Sequence, residues 1–578
     1  MDDKQKTNFF SYSGLLLLVI LIVSMCLNLW GTGYGLPDKL YPDEGRIINH
    51  ALAFGMGDFN PHYFNYPALS MYLLFLLYGA YYLFGHIAGT FQSVADFQKM
   101  FFADPSGFFL VGRIWVALTG TAVVAMLYFL GKKAFGDKRI GLLSALFFAP
   151  LPYFVFYCHF VVTDILLLFF LLLSYFFIIR ISREGRILDY LLAGASAGLG
   201  IATKYSPVFL AAPILLAHVF FTISHKKKLI SLSFLIPLML AFGAMVLFFF
   251  IGSPYCFLDF QNFYDSLQFR ELYGKEHTFG TGSGSAWLAY PRLLISHSFL
   301  ILNRIDLMGI IFIGGLVWAF FQRTKEDFLL LCFPLILYLT MGRWTSGSSR
   351  YALPLVVFLA IWGARAVVEI TDRFRSSDGK QGWLRTLVYS FIFLAVGLTL
   401  LNTIIMNHRL CRKDTRTVAR EWIEEHIPPG TPIALEWDTE ATVQLWETPV
   451  DIQSKINAYK TGETETIHHS AEQMAKVHQM RLNAVPEKNY RIIRIGGMDK
   501  TRVEPVNYSI PELSKNGAEF LITSGQITWI FDTERAHEIY PEQVKFYRQV
   551  DKDLLLIKEF QPNPLNVPGP VIKIYKFP

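Results

Sequence analysis

The sequence predicts a polytopic α-helical membrane protein of about eleven transmembrane helices, with a small α/β domain at its C-terminal end. Three observations carry this. Of 578 residues, 53% are hydrophobic and 17% charged, where a soluble domain averages about 25% charged. Apolar runs of about 18 or more residues recur up to position 406, each sufficient to cross a bilayer as a helix. The basic residues gather in the short loops between those runs, as cytoplasmic loops require.

In order, the expected spans are 13–31, 108–131, 140–158, 161–180, 187–203, 206–223, 230–252, 299–321, 327–342, 352–371 and 386–406. With the N-terminus cytoplasmic, alternation puts one set of loops inside. Those loops hold Lys132, Lys133, Lys138 and Arg139, then Arg183 and Arg186, then Lys226, Lys227 and Lys228. Arg323 and Lys325, then Arg373, Arg375 and Lys380, follow on the same side. Residues 67–87 are apolar enough to span, but counting them would invert every later loop against this charge pattern. They are expected as a juxtamembrane or re-entrant helix, their tyrosines suited to the interface.

The transmembrane domain is thus expected over 1–406, with a first outer loop at 32–107 and a second at 253–298. An extracytoplasmic domain follows over 407–578. It opens on DTRTVAREWIEEHI, a helix ended by Pro428-Pro429-Gly430. TPIALEW, FLITS and VIKIYKF read as strands. The five cysteines have no zinc-site spacing and read as small buried hydrophobes.

A charge in a membrane helix costs about 2.5–3.5 kcal/mol on insertion scales, so each one needs a reason. In YPDEG, Asp43 and Glu44 can take a proton from a hydroxyl or bind a cation; they can also be a solvated turn at a helix N-terminus. Asp164 in VVTDILLLFF is either a second carboxylate of the same site or a helix cap. Lys204 in GIATKYSP can hold a phosphate as a point charge or snorkel to headgroups. Arg343 and Arg350 flank the Gly/Ser-rich turn of RWTSGSSRYALP, and the guanidinium fork suits phosphate oxygens. Glu271 and His277, beside a glycine-rich stretch, and His62 in NPHYFNYP are further candidates. A divalent ion (Mg, Mn or Zn) held by Asp43, Asp164, Glu271 and His277 is an expectation without a spacing signature.

Taken in order, these motifs resemble glycosyltransferase family 39, the protein O-mannosyltransferases and their bacterial relatives, of the GT-C fold. The carriers are YPDEG, GDFNPHYFNYPALSMYLL, GLLSALFFAPLPYFVFYCHFVVTDILLLFFLLLSYF, AGASAGLGIATKYSP and SSRYALPLVVFLAIWGA, with DTRTVAREWIEEHIPPG after the last span. The resemblance implies an inverting transferase. It takes a hexose-type sugar from a polyprenyl-phosphate donor to a protein, lipid or glycan acceptor outside the cytoplasm. It implies Asp43 as the catalytic carboxylate, Glu44 and Asp164 in support, and Lys204 and Arg350 on the carrier phosphate. Asn65 stands where aminoarabinose transferases to lipid A, which are relatives, carry a metal-binding glutamate, so their metal site does not transfer directly. Without the large inserted luminal domain of the eukaryotic enzymes, the pattern suggests a bacterial or archaeal plasma-membrane protein.

A transporter or flippase of a lipid-linked sugar is the competing class. It would spread charge through the midplane and carry inverted repeats, and the sequence has neither feature. A membrane scaffold with a partner-binding outer domain would not need the acidic and basic candidates to gather on one side. A nucleotide or nucleic-acid ligand is not expected, since there is no Walker-type glycine loop and no long basic tract. The topology makes one direct prediction. Reporter fusions after residues 43, 350 and 578 should all report the non-cytoplasmic side; opposite faces for 43 and 350 would end the scheme.

Overall fold

The computed structural model describes residues 12–226, 228, 231–276, 286–295, 306–344, 349–376, 382–436, 440–462, 471–496, 508–532, 537–538, 540–563 and 566–578. It is predominantly helical. In chain order the helices are α1 (Tyr12–Leu29), α2 (Glu44–Ala53), α3 (Leu69–Ile87), α4 (Val94–Ala103), α5 (Ser106–Phe135), α6 (Lys138–Phe148), α7 (Pro152–Cys158), α8 (Thr163–Glu184) and α9 (Ile187–Ile201). Then come α10 (Ala211–Ser224), α11 (Leu232–Gly252), α12 (Tyr255–Leu258), α13 (Phe260–Glu276), α14 (Ala286–Ile295), α15 (Leu307–Gln322), α16 (Lys325–Met341), α17 (Leu353–Ser376), α18 (Gly382–Leu410) and α19 (Thr415–His426).

Helix forms at each of the eleven expected spans, but not all are long enough to cross alone. Among the described residues, eight helices are long and apolar enough to span, or nine if α6 and α7, bent by 71°, form one span. The bend falls at Pro150 and Pro152, where the missing amide N–H groups interrupt the helical ladder. Helix α9, with 15 residues, rises only about 22 Å against a hydrocarbon core of about 30 Å. Helices α15 and α16 have 16 and 17 residues. Helix α3, expected beside the membrane, has 19 residues and meets the length and composition test. Composition alone therefore places it with the spans, and loop charge was the reason for setting it apart.

Two compact units divide the chain. The first comprises Met1–Thr32, Ala53–Leu74 and Gly112–Asn407; the second comprises Gly33–Leu52, Phe75–Val111 and His408–Pro578. Within the first, α9 and α11 approach backbone to backbone. A Cβ placed at Gly194 would overlap the Ala241 carbonyl, and one at Gly198 the Met245 carbonyl. This is the small-xxx-small solution for helices in lipid, where contact and not water expulsion drives association. Gly315 on α15 plays the same part against the Trp362–Gly363 backbone of α17.

The second unit is built on a five-stranded sheet of β1 (Pro432–Glu436), β2 (Arg491–Ile495), β3 (Phe520–Ser524), β4 (Leu555–Phe560) and β5 (Ile572–Lys576), in the order β2-β1-β3-β5-β4. Strands β2, β1 and β3 run parallel, and β5 pairs antiparallel with both β3 and β4. Side chains alternate across the pleat. Ile433, Leu435 and Ile522 face a core with Ala419 and Ile423 of α19, while Ala434 and Leu521 face Leu513, Phe546 and Val550 on the other side. Helix α19 starts where the Asp414 side chain accepts from the Arg416 amide.

The glycine contacts predict that Gly194→Val, whose branches would meet backbone that has no rotamer to yield, costs about 1–3 kcal/mol. Gly243→Ala, where nothing lies within 4 Å of the added carbon, should be neutral. Thermal unfolding of the purified chain in detergent distinguishes the two.

Candidate active site

Within the first unit, three elements bring charged and phenolic groups together. Helix α8 begins at Thr163, and its N-cap residue Val162 offers no side-chain cap. Asp164 therefore sits in the first turn, and its partner lies elsewhere: Oδ1 accepts from Lys204 Nζ at 2.5 Å. Lys204 follows the C-terminal end of α9, where its amide bonds the Gly200 carbonyl. Both side chains are buried, at 1% and 8% exposure. Water does not screen such a pair, and the lysine offsets the cost of a carboxylate out of water. The other carboxylate oxygen, Oδ2, is buried and has no hydrogen-bond partner among the described residues.

The third element is the short turn at Ser349–Ala352 before α17. Lys204 Nζ lies 4.4 Å from the centre of the Tyr351 ring, and the Arg350 guanidinium carbon lies 5.5 Å from the same ring. Arg350, buried, donates from Nη2 to the Tyr66 hydroxyl at 2.8 Å. Tyr66 belongs to the segment before α3. That segment is fastened by the Leu69 amide on the Ala202 carbonyl, by the Ala68 amide on Ser253 Oγ, and by Tyr205 OH on the Phe64 carbonyl. Two cations and one carboxylate thus meet around Tyr66 and Tyr351. The named groups sum to a positive site, which suits an anion such as a phosphate.

The other candidates of this unit are His62, Asn65, Arg343, Glu271 and His277. His62, at φ 47°, pairs through Nε2 with Asp58 Oδ2 at 2.8 Å. Asn65 is half-buried and precedes Tyr66 in the chain. Arg343 is exposed and makes no ion pair among the described residues. The backbone of Glu271 belongs to α13, but its side chain, like the whole of His277, lies outside the described residues.

In the second unit, Asp43 immediately precedes α2 and Glu44 is its first residue, both near the partial positive charge of the helix N-terminus. Glu44 is fully buried and Asp43 half-buried, with Arg46 Nη1 at 4.0 Å from Asp43 Oδ1. Glu440 comes close to this turn: a Cβ on Gly45 would stand 4.0 Å from Glu440 Oε1. Burial, and then the charge of Arg481, lower the Lys39 ammonium to about 8, while Glu440 opposes the shift. Burial raises the Asp38 carboxyl, and Arg420 and Thr417 pull it back.

No group of three or more His, Cys, Asp or Glu side chains among the described residues is arranged to hold a metal ion. Of the four expected metal ligands, Asp164 is engaged by Lys204 and Asp43 lies in the other unit. The other two, the Glu271 side chain and His277, lie outside the described residues. Sequence reasoning passed over Tyr66 and Tyr351, although each adjoins a residue it named. It also passed over Lys39, Glu440 and the buried residues of α19.

Residues 106–252 match the family model described as dolichyl-phosphate-mannose-protein mannosyltransferase. No curated protein matches the chain. Among solved structures, ArnT from Cupriavidus metallidurans in the apo state is similar at 14% identity, with 96% of this chain and 97% of that chain covered and a TM-score of 0.50. The same protein bound to undecaprenyl phosphate aligns at 12% identity, over 98% of each chain, with a TM-score of 0.46. The archaeal oligosaccharyltransferase AglB from Archaeoglobus fulgidus, in complex with an inhibitory peptide and a dolichol-phosphate, aligns at 13% identity, with 95% of this chain and 73% of that chain covered and a TM-score of 0.49. The fold is that of the GT-C glycosyltransferases, and the protein is an integral membrane protein. Within that class, the resemblance seen in the sequence is to the protein mannosyltransferase family and its relatives, and the family match carries it over residues 106–252.

The Lys204–Asp164 pair makes a prediction of its own. Lys204→Met should cost about 3–5 kcal/mol by stranding a buried carboxylate. Adding Asp164→Asn should recover more than about 1 kcal/mol of that loss. Thermal unfolding of the two variants measures the coupling.

Proposed function

We propose that this protein transfers a sugar from a polyprenyl-phosphate carrier to an acceptor outside the cytoplasm, with inversion at the anomeric carbon. The observation that carries the reading is the convergence of Lys204 and Arg350 on Tyr351, beside Tyr66, within a GT-C scaffold. A carrier with a long apolar tail enters from lipid, and its phosphate must then be met at the membrane boundary by buried cations. Lys204 supplies a compact charge, and Arg350 supplies a fork held in direction by the Tyr66 hydroxyl.

In the proposed reaction the acceptor hydroxyl gives its proton to the Asp43 carboxylate, a role assigned on the family resemblance. The acceptor oxygen forms a bond to the anomeric carbon as the bond from that carbon to the phosphate oxygen breaks. Polyprenyl phosphate leaves, and its added negative charge falls on oxygens held by Lys204 and Arg350. Cations fixed before the reaction stabilise that charge without reorganising. Asp164 holds Lys204 in place, and Glu44 supports the Asp43 turn. The sugar is taken as hexose-type and the acceptor as a protein, lipid or glycan; the family match to mannosyltransferases supports the first. The plasma membrane of a bacterium or archaeon, with the second unit extracytoplasmic, is the setting that fits the loop charges.

Release of polyprenyl phosphate from a panel of radiolabelled polyprenyl-phosphate hexoses and pentoses tests the proposal. Asp43→Asn should lose about 10²–10⁴ in rate, the usual share of a positioned base. Arg350→Ala should raise the donor KM, and Arg350→Lys should recover only part of it, because an ammonium cannot reproduce the fork. An unchanged donor KM in Arg350→Ala would remove the phosphate assignment.

A further inference from the structure

The turn that carries Asp43 has little structure of its own. Residues 33–43 form turns and extended chain, with Gly33, Gly35, Pro37 and Pro42 excluding helix. Yet its backbone and side chains are gripped at four points, Tyr34, Asp38, Lys39 and Leu40, by residues far along the chain, all within the second unit.

Arg416 is the centre of that grip. Its Nε donates to Asp414 Oδ1 at 2.8 Å, and Nη2 donates to Asp414 Oδ2 at 3.0 Å and to Tyr34 OH at 3.3 Å. Its Nη1 donates to the Leu40 carbonyl at 3.3 Å and to the Glu440 carbonyl at 2.5 Å. All five N–H donors of the guanidinium thus have an acceptor in reach. Tyr34 in turn donates to Asp414 Oδ2 at 2.5 Å. The next residue of α19, Thr417, donates from Oγ1 to Asp38 Oδ2 at 2.7 Å, and one turn further on Arg420 Nε lies 2.9 Å from Asp38 Oδ1. Gln444 closes an amide pair with the Lys39 backbone, accepting at 3.1 Å and donating at 2.7 Å. Asp38, Asp414, Arg416 and Thr417 are all buried. Leu40 is three residues from Asp43, so Arg416 fixes the backbone that aims the carboxylate.

We infer that Arg416 is a positioning residue for Asp43, and that the α/β domain serves as the clamp of the proposed catalytic turn. This rests on the reading of Asp43 as the base. Helix α19 packs its Ala419 and Ile423 against the sheet, and Arg416 reaches from it to Tyr34 and Leu40 with two donors while three more, on Asp414 and Glu440, hold the guanidinium in place. A displacement of about 1 Å at a reacting group is enough to cost about 10²-fold in rate. Lysine in place of Arg416 keeps the charge beside Asp414 but presents its donors from one point, so it cannot span Asp414, Leu40 and Glu440 together.

The test uses the full-length chain in detergent or nanodiscs, with the same donor-release assay and hydrogen exchange of the backbone amides. Arg416→Lys is expected to lower kcat by about 10- to 10²-fold with the donor KM changed by less than about 2-fold, and to speed exchange across 34–44 but not across 163–184. Lys413→Ala, which breaks an exposed pair with Glu421 on the same helix, should change neither. Unchanged kcat in Arg416→Lys overturns the inference, as does a loss that only follows the folded fraction with activity per folded molecule intact. Full activity in Asp43→Asn instead overturns the assignment of Asp43 itself, and is read separately from the Arg416 result.

Discussion

A charge removed from water has to be paired, and the first unit is arranged around one such pairing. Asp164 and Lys204 stand 40 positions apart, on α8 and just past α9, and a 2.5 Å contact joins them where neither meets solvent. Neither would be tolerable there alone. Their union fixes the end of α9 against the start of α8, and it points the lysine at Tyr351. The nearby Tyr66–Arg350 bond ties the loop before α3 to the turn before α17 in the same way. These buried polar contacts therefore set which loop ends meet, while glycines such as Gly194 and Gly198 set how closely helices α9 and α11 can pack.

Much of this was legible in the chain because the two signals are physically different. Hydropathy reports a requirement of length and apolarity, and it located a helix at all eleven expected positions. It could not say that α9 is 15 residues long, which depends on how neighbours pack, or that the chain bends at Pro150–Pro152, since a proline's missing amide does not register as hydropathy. It also could not sort α3, whose composition alone satisfies the rule for spanning. In the second unit, alternation exposed β1, β3 and β5 in advance. Strands β2 and β4, which escaped, are the two edges of the sheet and bury less of their length than the three strands between them.

For the site, isolated charges in apolar surroundings were the useful signal. Asp164, Lys204 and Arg350 were found that way, and the structure joins the first two directly and brings the third to the same ring. Arg343 carried the same signal but is exposed. Tyr66 and Tyr351 gave no signal, because a tyrosine in an aromatic-rich membrane sequence is unremarked. The residues of α19 were invisible for another reason. Arg416 and Asp414 read as ordinary charges of a soluble helix, and only folding reveals that they are buried against a segment some 376 positions earlier.

That separation imposes an order on biogenesis. The turn bearing Asp43 leaves the ribosome early, whereas Arg416 follows Asp43 by 373 residues, a delay of roughly 20–75 s at about 5–20 residues per second. Throughout that interval the helices can insert and pack while the turn lacks the grip of Arg416, Thr417 and Gln444. On the proposed role of Asp43, arrival of the last third of the polypeptide is what locks the turn, so a nascent copy is expected to stay inert until then, and a prematurely terminated one to occupy the bilayer without competing for carrier turnover.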